Sequence, residues 1–249
     1  MPTERLFDLD GQMIRVFSSE RAASSHQYVL VHGLGISHRL FSRLHGVLAK
    51  RHTVHTLDLP GFGGLPRPRH SPDVPAMARL IADVLDRIGA RDVVAVGDSM
   101  GTQWVVELGA LRADVVSHVV AIGPVVDDER RSSGAQAMAL AADTVREPPS
   151  ANARVLTEYL RCGPAWYSSQ LRHMLAYPIE KRVGAVSERL MILRGGRDPI
   201  AGRDWCERLV ARAPGSRLVE VAGHPHLVQH TAPHRVAEEI VRFVRDGAA

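Results

Sequence analysis

Cysteine is nearly absent from this chain: 249 residues carry only Cys162 and Cys206, each in a stretch that reads as helical. That excludes a disulfide-stapled scaffold and points to free thiols in a reducing compartment, the cytoplasm by default. A chain of this length needs no staples, since folding removes roughly 70 to 75 per cent of its unfolded surface from water. Lysine is as scarce, with Lys50 and Lys181 alone, so the 31 basic residues are almost all arginine. They are spread without a dense block or a stacking motif, and the formal charge of +4 describes a solvated surface rather than a nucleic-acid-binding one. Also missing is any long run of apolar residues, and Met1 to Ser19 alternates polar and apolar positions without a signal-type apolar core. Neither membrane insertion nor secretion is expected.

What is present is periodic. Two extended runs, Arg5 to Asp8 and Met13 to Phe17, flank Asp10-Gly11, a hairpin signal. Beyond it, apolar strands near 28–31, 53–57, 93–97, 117–122, 190–193 and 217–221 alternate with helical patterns. Such alternation predicts an α/β protein with a mostly parallel sheet covered by helices on both faces. The helix bearing Met77, Leu80, Ile81, Val84, Leu85 and Ile88 begins near Pro75 and ends at Gly89. The last helix, with Val236, Ile240, Phe243 and Val244 on one side, is expected to be capped by Thr231. Between Pro124 and Ser187 the interval far exceeds what a crossover requires. Helical stretches around 133–146 and 151–162, followed by Trp166, Tyr167, Leu171, Met174 and Leu175, predict an inserted helical lid over 125–187. The core is then 1–124 with 188–249, and Trp166, Tyr167 and Met174 are the expected pocket contacts.

The chemistry-bearing residues lie at strand ends. Val96-Gly97-Asp98-Ser99-Met100-Gly101 follows Val93-Val94-Ala95 and opens a helix, the pattern of a serine on a tight strand-to-helix turn. Glycine is required at 97 and 101 because the turn leaves no room for a β-carbon. Ser99 is the expected nucleophile, with Asp98 turned elsewhere. The strand Val29–Val31 runs into His32-Gly33-Leu34-Gly35, where the amides of Leu34 and Met100 are expected to form an oxyanion hole and His32 to brace the loop. Asp198 follows Leu190–Leu193 and a glycine pair, in position to orient a base. After Arg217–Val221, one of His224 and His226 supplies that base, since a protonated serine attacks only if an imidazole takes its proton. His224, His226, His230 and His234 crowd together, yet no carboxylate or cysteine joins them at ligand spacing. No metal is expected, and His230 and His234 are read as surface residues. The glycines at 33 and 35 do not complete a dinucleotide fingerprint, so no cofactor is expected.

The chain order Ser99, Asp198, His226, each after its own strand, resembles the α/β-hydrolase superfamily over nearly the whole chain. Supporting matches are His32-Gly33, Leu57 to Gly63, the Ser99 turn, Gly196 to Pro199, and Gly223 to Pro233. The resemblance implies an eight-stranded, mostly parallel sheet and a Ser-His-Asp triad. Through Pro233, which stands where the superfamily opens its last helix, it selects His226 over His224. Asp127 and Asp128, where some members place the acid, are the alternative to Asp198. The implied activity is that of a carboxylesterase-like serine hydrolase acting on a small ester or lactone through an acyl-enzyme. Serine at 99 speaks against the halide- and epoxide-opening branches, which use a carboxylate nucleophile. Carbon-carbon bond hydrolases of the ring-cleavage type share fold and triad, but commonly have a longer glycine-rich loop and a tryptophan where this chain has Leu227. A ligand-binding receptor on a hydrolase scaffold would keep the pocket without rapid turnover.

Overall fold

The computed structural model describes residues 2–22 and 26–246. Met1, 23–25 and 247–249, which belong to the expected core segments, lie outside the described residues. Strands β1 (Thr3–Leu9) and β2 (Gln12–Ser19) form the expected hairpin, with Asp10 and Gly11 both at positive φ, 54° and 81°. Then follow β3 (Gln27–Val31), α1 (Ser42–Leu48), β4 (Thr53–Asp58), α2 (Val74–Ile88), β5 (Val93–Asp98), α3 (Gly101–Leu111) and β6 (Val116–Ile122). The long interval holds α4 (Ser133–Thr144), α5 (Pro149–Cys162), α6 (Pro164–Ala176) and α7 (Ile179–Arg182). The chain closes with β7 (Arg189–Gly195), α8 (Arg203–Arg212), β8 (Arg217–Val221), α9 (Val228–Thr231) and α10 (Pro233–Arg245). The 8-stranded sheet has the order β1-β2-β4-β3-β5-β6-β7-β8, antiparallel at β1/β2 and β2/β4 and parallel elsewhere.

The period of two along each strand divides the core into two layers. Val29 and Val31 of β3, Val93 and Ala95 of β5, and Leu190 and Ile192 of β7 face the layer that contains α2 and α3. Their neighbours Leu30, Val94, Val96, Met191 and Leu193 face the other layer, where Leu44 and Leu48 of α1 meet Val236, Ile240 and Phe243 of α10. Burial on both sides is why these strands read as continuous apolar runs. Helix α2 starts where Asp73 accepts a hydrogen bond from the Ala76 amide at 2.9 Å and stops at Gly89, whose φ is 68°.

One sequence expectation fails here. Thr231 does not cap the last helix; it ends α9, and its hydroxyl bonds the Leu227 carbonyl at 3.2 Å. Pro233, with its preset φ and no N–H to satisfy, opens α10 without a hydroxyl cap.

The insertion between β6 and β7 has no separate core. Cys162, Trp166, Met174 and Tyr177 pack into the α2/α3 layer. Polar contacts fasten it to α3: Gln103 Nε2 donates to the Met174 carbonyl at 2.9 Å, and Glu107 accepts from the Tyr177 hydroxyl at 2.7 Å and from Arg182 Nε at 2.8 Å. Both cysteines are free and buried, and burial pushes their thiols up to about 11 at Cys162 and about 12 at Cys206. Among the described residues no helix is long and apolar enough to cross a membrane.

Candidate active site

β5 delivers the chain to the turn that carries Ser99, and α3 leaves it. Ser99 sits at φ 55°, a region that costs a non-glycine residue about 1–3 kcal/mol. The turn is held by the Ser99 amide donating to the Ile122 carbonyl at 2.9 Å and by the Thr102 hydroxyl donating to the Ser99 carbonyl at 2.6 Å. A β-carbon on Gly97 would overlap the Gly101 carbonyl, and one on Gly101 would overlap the carbonyls of Val31 and His32. These are backbone atoms of adjacent elements, so neither site tolerates a larger residue without moving β3 or α3.

Asp198, beyond β7, is 4 % exposed, and His226, in the loop after β8, is equally buried. Oδ1 of Asp198 accepts from the amides of Ile200 (2.8 Å) and Ala201 (2.9 Å), while Oδ2 lies 2.8 Å from His226 Nδ1. Burial alone would raise the Asp198 pKa, but the His226 charge and hydrogen bond and the two amides hold it below the usual carboxylate value. An ionised carboxylate only accepts, so Nδ1 carries the proton and the lone pair of the neutral ring is left on Nε2, which is buried without a partner among the described residues. Burial of the ring favours its neutral form; the Asp198 charge and hydrogen bond, with Asp98 and Asp143 beyond, outweigh it and raise the His226 pKa.

The other histidines fall into place around this pair. His224 is half-buried, its Nδ1 3.0 Å from the Thr231 hydroxyl. His32 Nε2 accepts from the Leu59 amide at 3.1 Å, which puts its proton on Nδ1, 2.8 Å from the Gly33 carbonyl. It braces the loop, and burial lowers its pKa, keeping it neutral. His234 is exposed, but His230 is 1 % exposed, correcting its reading as a surface residue. It lies in α9, the short helix turned inward against α1 and α10. Asp127 and Asp128 are ion-paired with Arg208, and Asp128 also with Arg212 at 2.9 Å. That engagement leaves Asp198 as the carboxylate on the His226 ring.

Ser99, His226 and Leu34 border one cavity, with an empty volume of about 940 Å³ including its open mouth. Neither the Leu34 nor the Met100 amide has a backbone hydrogen-bond partner among the described residues. Tyr167 and Met174 line the cavity as expected, but Trp166 does not. Its indole is packed over Gly61 and Phe62, the ring centroids of Trp166 and Phe62 6.2 Å apart, because α6 turns that side toward the loop after β4. Asp98 also borders the cavity, but its side chain is fully buried and interacts with Gln229 of α9. Burial pushes its carboxyl up to about 7 against the opposing charge of His226.

Sequence reasoning missed two cavity residues, Asp143 and Glu147, which stand at the end of α4 and in the loop beyond it. Asp143 Oδ1 accepts from the His226 amide at 3.0 Å, and Glu147 Oε1 accepts from the Leu227 amide at 2.7 Å. The insertion thus grips the backbone of the histidine loop. Their spacing of one helical turn was the only available signal, and it reads equally as a solvated face.

A mostly parallel sheet with these three residues at the ends of β5, β7 and β8 defines the α/β hydrolase class of fold. Comparison with known proteins agrees: the chain belongs to the alpha/beta hydrolase family, whose family model matches residues 28–239. It is similar to Esterase YbfF of Escherichia coli (strain K12), with 26% identity over 256 residues, covering 94% of this chain and 98% of that protein. Among solved structures, the enol-lactonase from Burkholderia xenovorans LB400 superposes with a TM-score of 0.83 at 19% identity, covering 97% of this chain and 100% of the other. A thermophilic esterase from Thermogutta terrifontis superposes with a TM-score of 0.79 at 20% identity, covering 99% of this chain and 98% of its own.

Proposed function

We propose that this protein is a serine hydrolase of the carboxylesterase type, which cleaves a small carboxylic ester or lactone through an acyl-enzyme on Ser99. The observation that carries the reading is the His226–Asp198 pair, bonded at 2.8 Å, whose free Nε2 is buried beside the cavity that Ser99 borders. In this mechanism Ser99 Oγ attacks the substrate carbonyl as its proton passes to His226 Nε2, and Asp198 stabilises the imidazolium. The amides of Leu34 and Met100 hold the oxyanion, an arrangement in which each donor contributes about 3 kcal/mol. Collapse expels the alcohol, which takes the proton from His226. Water then attacks the acyl-enzyme with His226 again as base, and the acid leaves. The insertion acts as the lid of this pocket. Support for an ester substrate comes from the YbfF relationship and from the apolar lining.

A fluorophosphonate should label the purified protein at Ser99, and p-nitrophenyl butyrate should be hydrolysed. Ser99→Ala should lose labelling and reduce kcat by about 10³- to 10⁶-fold with little change in thermal stability. Unchanged turnover in that variant would refute the proposal.

A further inference from the structure

His226 aside, the ionisable side chains in the cavity wall that carry charge are acidic. Asp98, Asp143 and Glu147 border it, and among the residues that line it there is neither an arginine nor a lysine. The rest of the wall is largely apolar, with Leu34, Ile36, Leu140, Val155 and Leu171. Asp98 is fully buried, whereas Glu147 has one oxygen engaged and one to spare. Glu147 is 6 % exposed; Oε1 is committed to the Leu227 amide at 2.7 Å, and Oε2 is buried with no partner among the described residues. A buried oxygen of this kind is costly to leave unpaired, so a ligand that brings a donor to it recovers the loss.

We infer that Glu147 forms a subsite for the ammonium group of an alkylamine-bearing substrate, whose carbon chain lies along the apolar wall. This deepens the serine hydrolase reading by naming a substrate class and rests on the cavity being the substrate site. An ammonium group suits the site because it is a compact point charge that can reach a single carboxylate oxygen from any side, whereas a guanidinium fork seeks two coplanar oxygens and finds Oε1 already used. An anionic group meets three acidic side chains and neither an arginine nor a lysine. An uncharged chain of the same length gains only the apolar contacts.

The test measures binding, not turnover. Calorimetric titration of the protein with n-hexylammonium, 1-hexanol and hexanoate at about pH 8 should give the ammonium about ten-fold or more tighter binding than the alcohol, with hexanoate weakest. Hexylammonium should also compete with p-nitrophenyl butyrate. Glu147→Gln keeps a carbonyl for the Leu227 amide and removes the charge, and the margin between ammonium and alcohol should vanish in it. A second measurement needs no variant. Burial, with Asp143 adding to it, pushes the Glu147 carboxyl up to about 7. The groups that face it are Asp143 at the end of α4, Asp98 at the end of β5, and His226 with Leu227 from the loop after β8. From about pH 6 to about pH 8 Glu147 ionises while the amine stays charged, and the ammonium margin should grow with pH. Equal binding of amine and alcohol, a margin that survives Glu147→Gln, a margin that is flat across this range, or non-competitive binding would each overturn the subsite. A protein that hydrolyses p-nitrophenyl esters yet shows no margin refutes the subsite alone; one that binds the ammonium yet hydrolyses no ester refutes the hydrolase reading.

Discussion

His226 is fixed at two points, its ring by Asp198 and its amide by Asp143. In the proposed mechanism the neutral ring accepts the serine proton, so raising its pKa moves the rise of activity to higher pH than a free histidine would give. kcat/KM for p-nitrophenyl butyrate should therefore increase with pH through an apparent pKa above about 6.5, the value of an unperturbed imidazole. Asp143 is one of the charges that raise it. Asp143→Asn should shift the acid limb to lower pH, and a limb that stays put or moves upward would contradict the assignment. His224→Ala should retain most activity, while His226→Ala should lose a factor comparable with Ser99→Ala, about 10³-fold or more. A crippled His224 variant would reverse the assignment.

At the scale of elements, the cap of α2 isolates one energetic contribution. A β-carbon at Gly89 meets nothing within 4 Å, so Gly89→Ala introduces no clash and only the strain of φ 68°. The cost should be about 1 kcal/mol, lowering Tm by about 2–4 °C in a chain of this size, with kcat unchanged. An unaltered melting curve would show that the helix end relaxes. Elements such as α2 and the central strands were legible because their burial repeats with the period of the backbone itself, 3.6 or 2. The places of Ser99, Asp198 and the histidine loop after β5, β7 and β8 were legible too, but only the superfamily resemblance, through Pro233, singled out His226 over His224. The pocket was less so. Whether Trp166 or Tyr159 faces the cavity depends on the angle at which α5 and α6 meet, and that angle is set by packing against distant residues such as Gly35 and Gly61. Glu147 precedes Pro148 and Pro149, which read as a chain break and conceal the carboxylate's inward direction.

Across the whole molecule, two buried carboxylates bind distant segments together. Asp58 at the end of β4 is 0 % exposed; Oδ1 accepts from the His38 amide at 2.7 Å, and Oδ2 lies 2.7 Å from His38 Nδ1 and 3.5 Å from Arg15 Nη1 of β2. Burial would raise its pKa, but the hydrogen bonds and charge of His38 lower it. A depressed carboxylate adds stability that is complete above its unfolded value near 3.9 and is lost as pH falls through the folded value. Asp198 has the same sign. Unfolding free energy should therefore drop steeply below about pH 4. Asp58→Asn should lower stability at neutral pH by about 1–3 kcal/mol and flatten that acid slope. Equal slopes in chemical denaturation of the two proteins at about pH 3 to 5 would exclude Asp58 as a source.

Helix α3 has two duties. Its start holds Ser99, and Gln103 in its first turn and Glu107 one turn further on anchor the inserted segment at Met174, Tyr177 and Arg182. Under the proposed function the roof and the nucleophile therefore share a beam, and a roof borrowed from a relative would fit only if it brought matching partners for those two side chains.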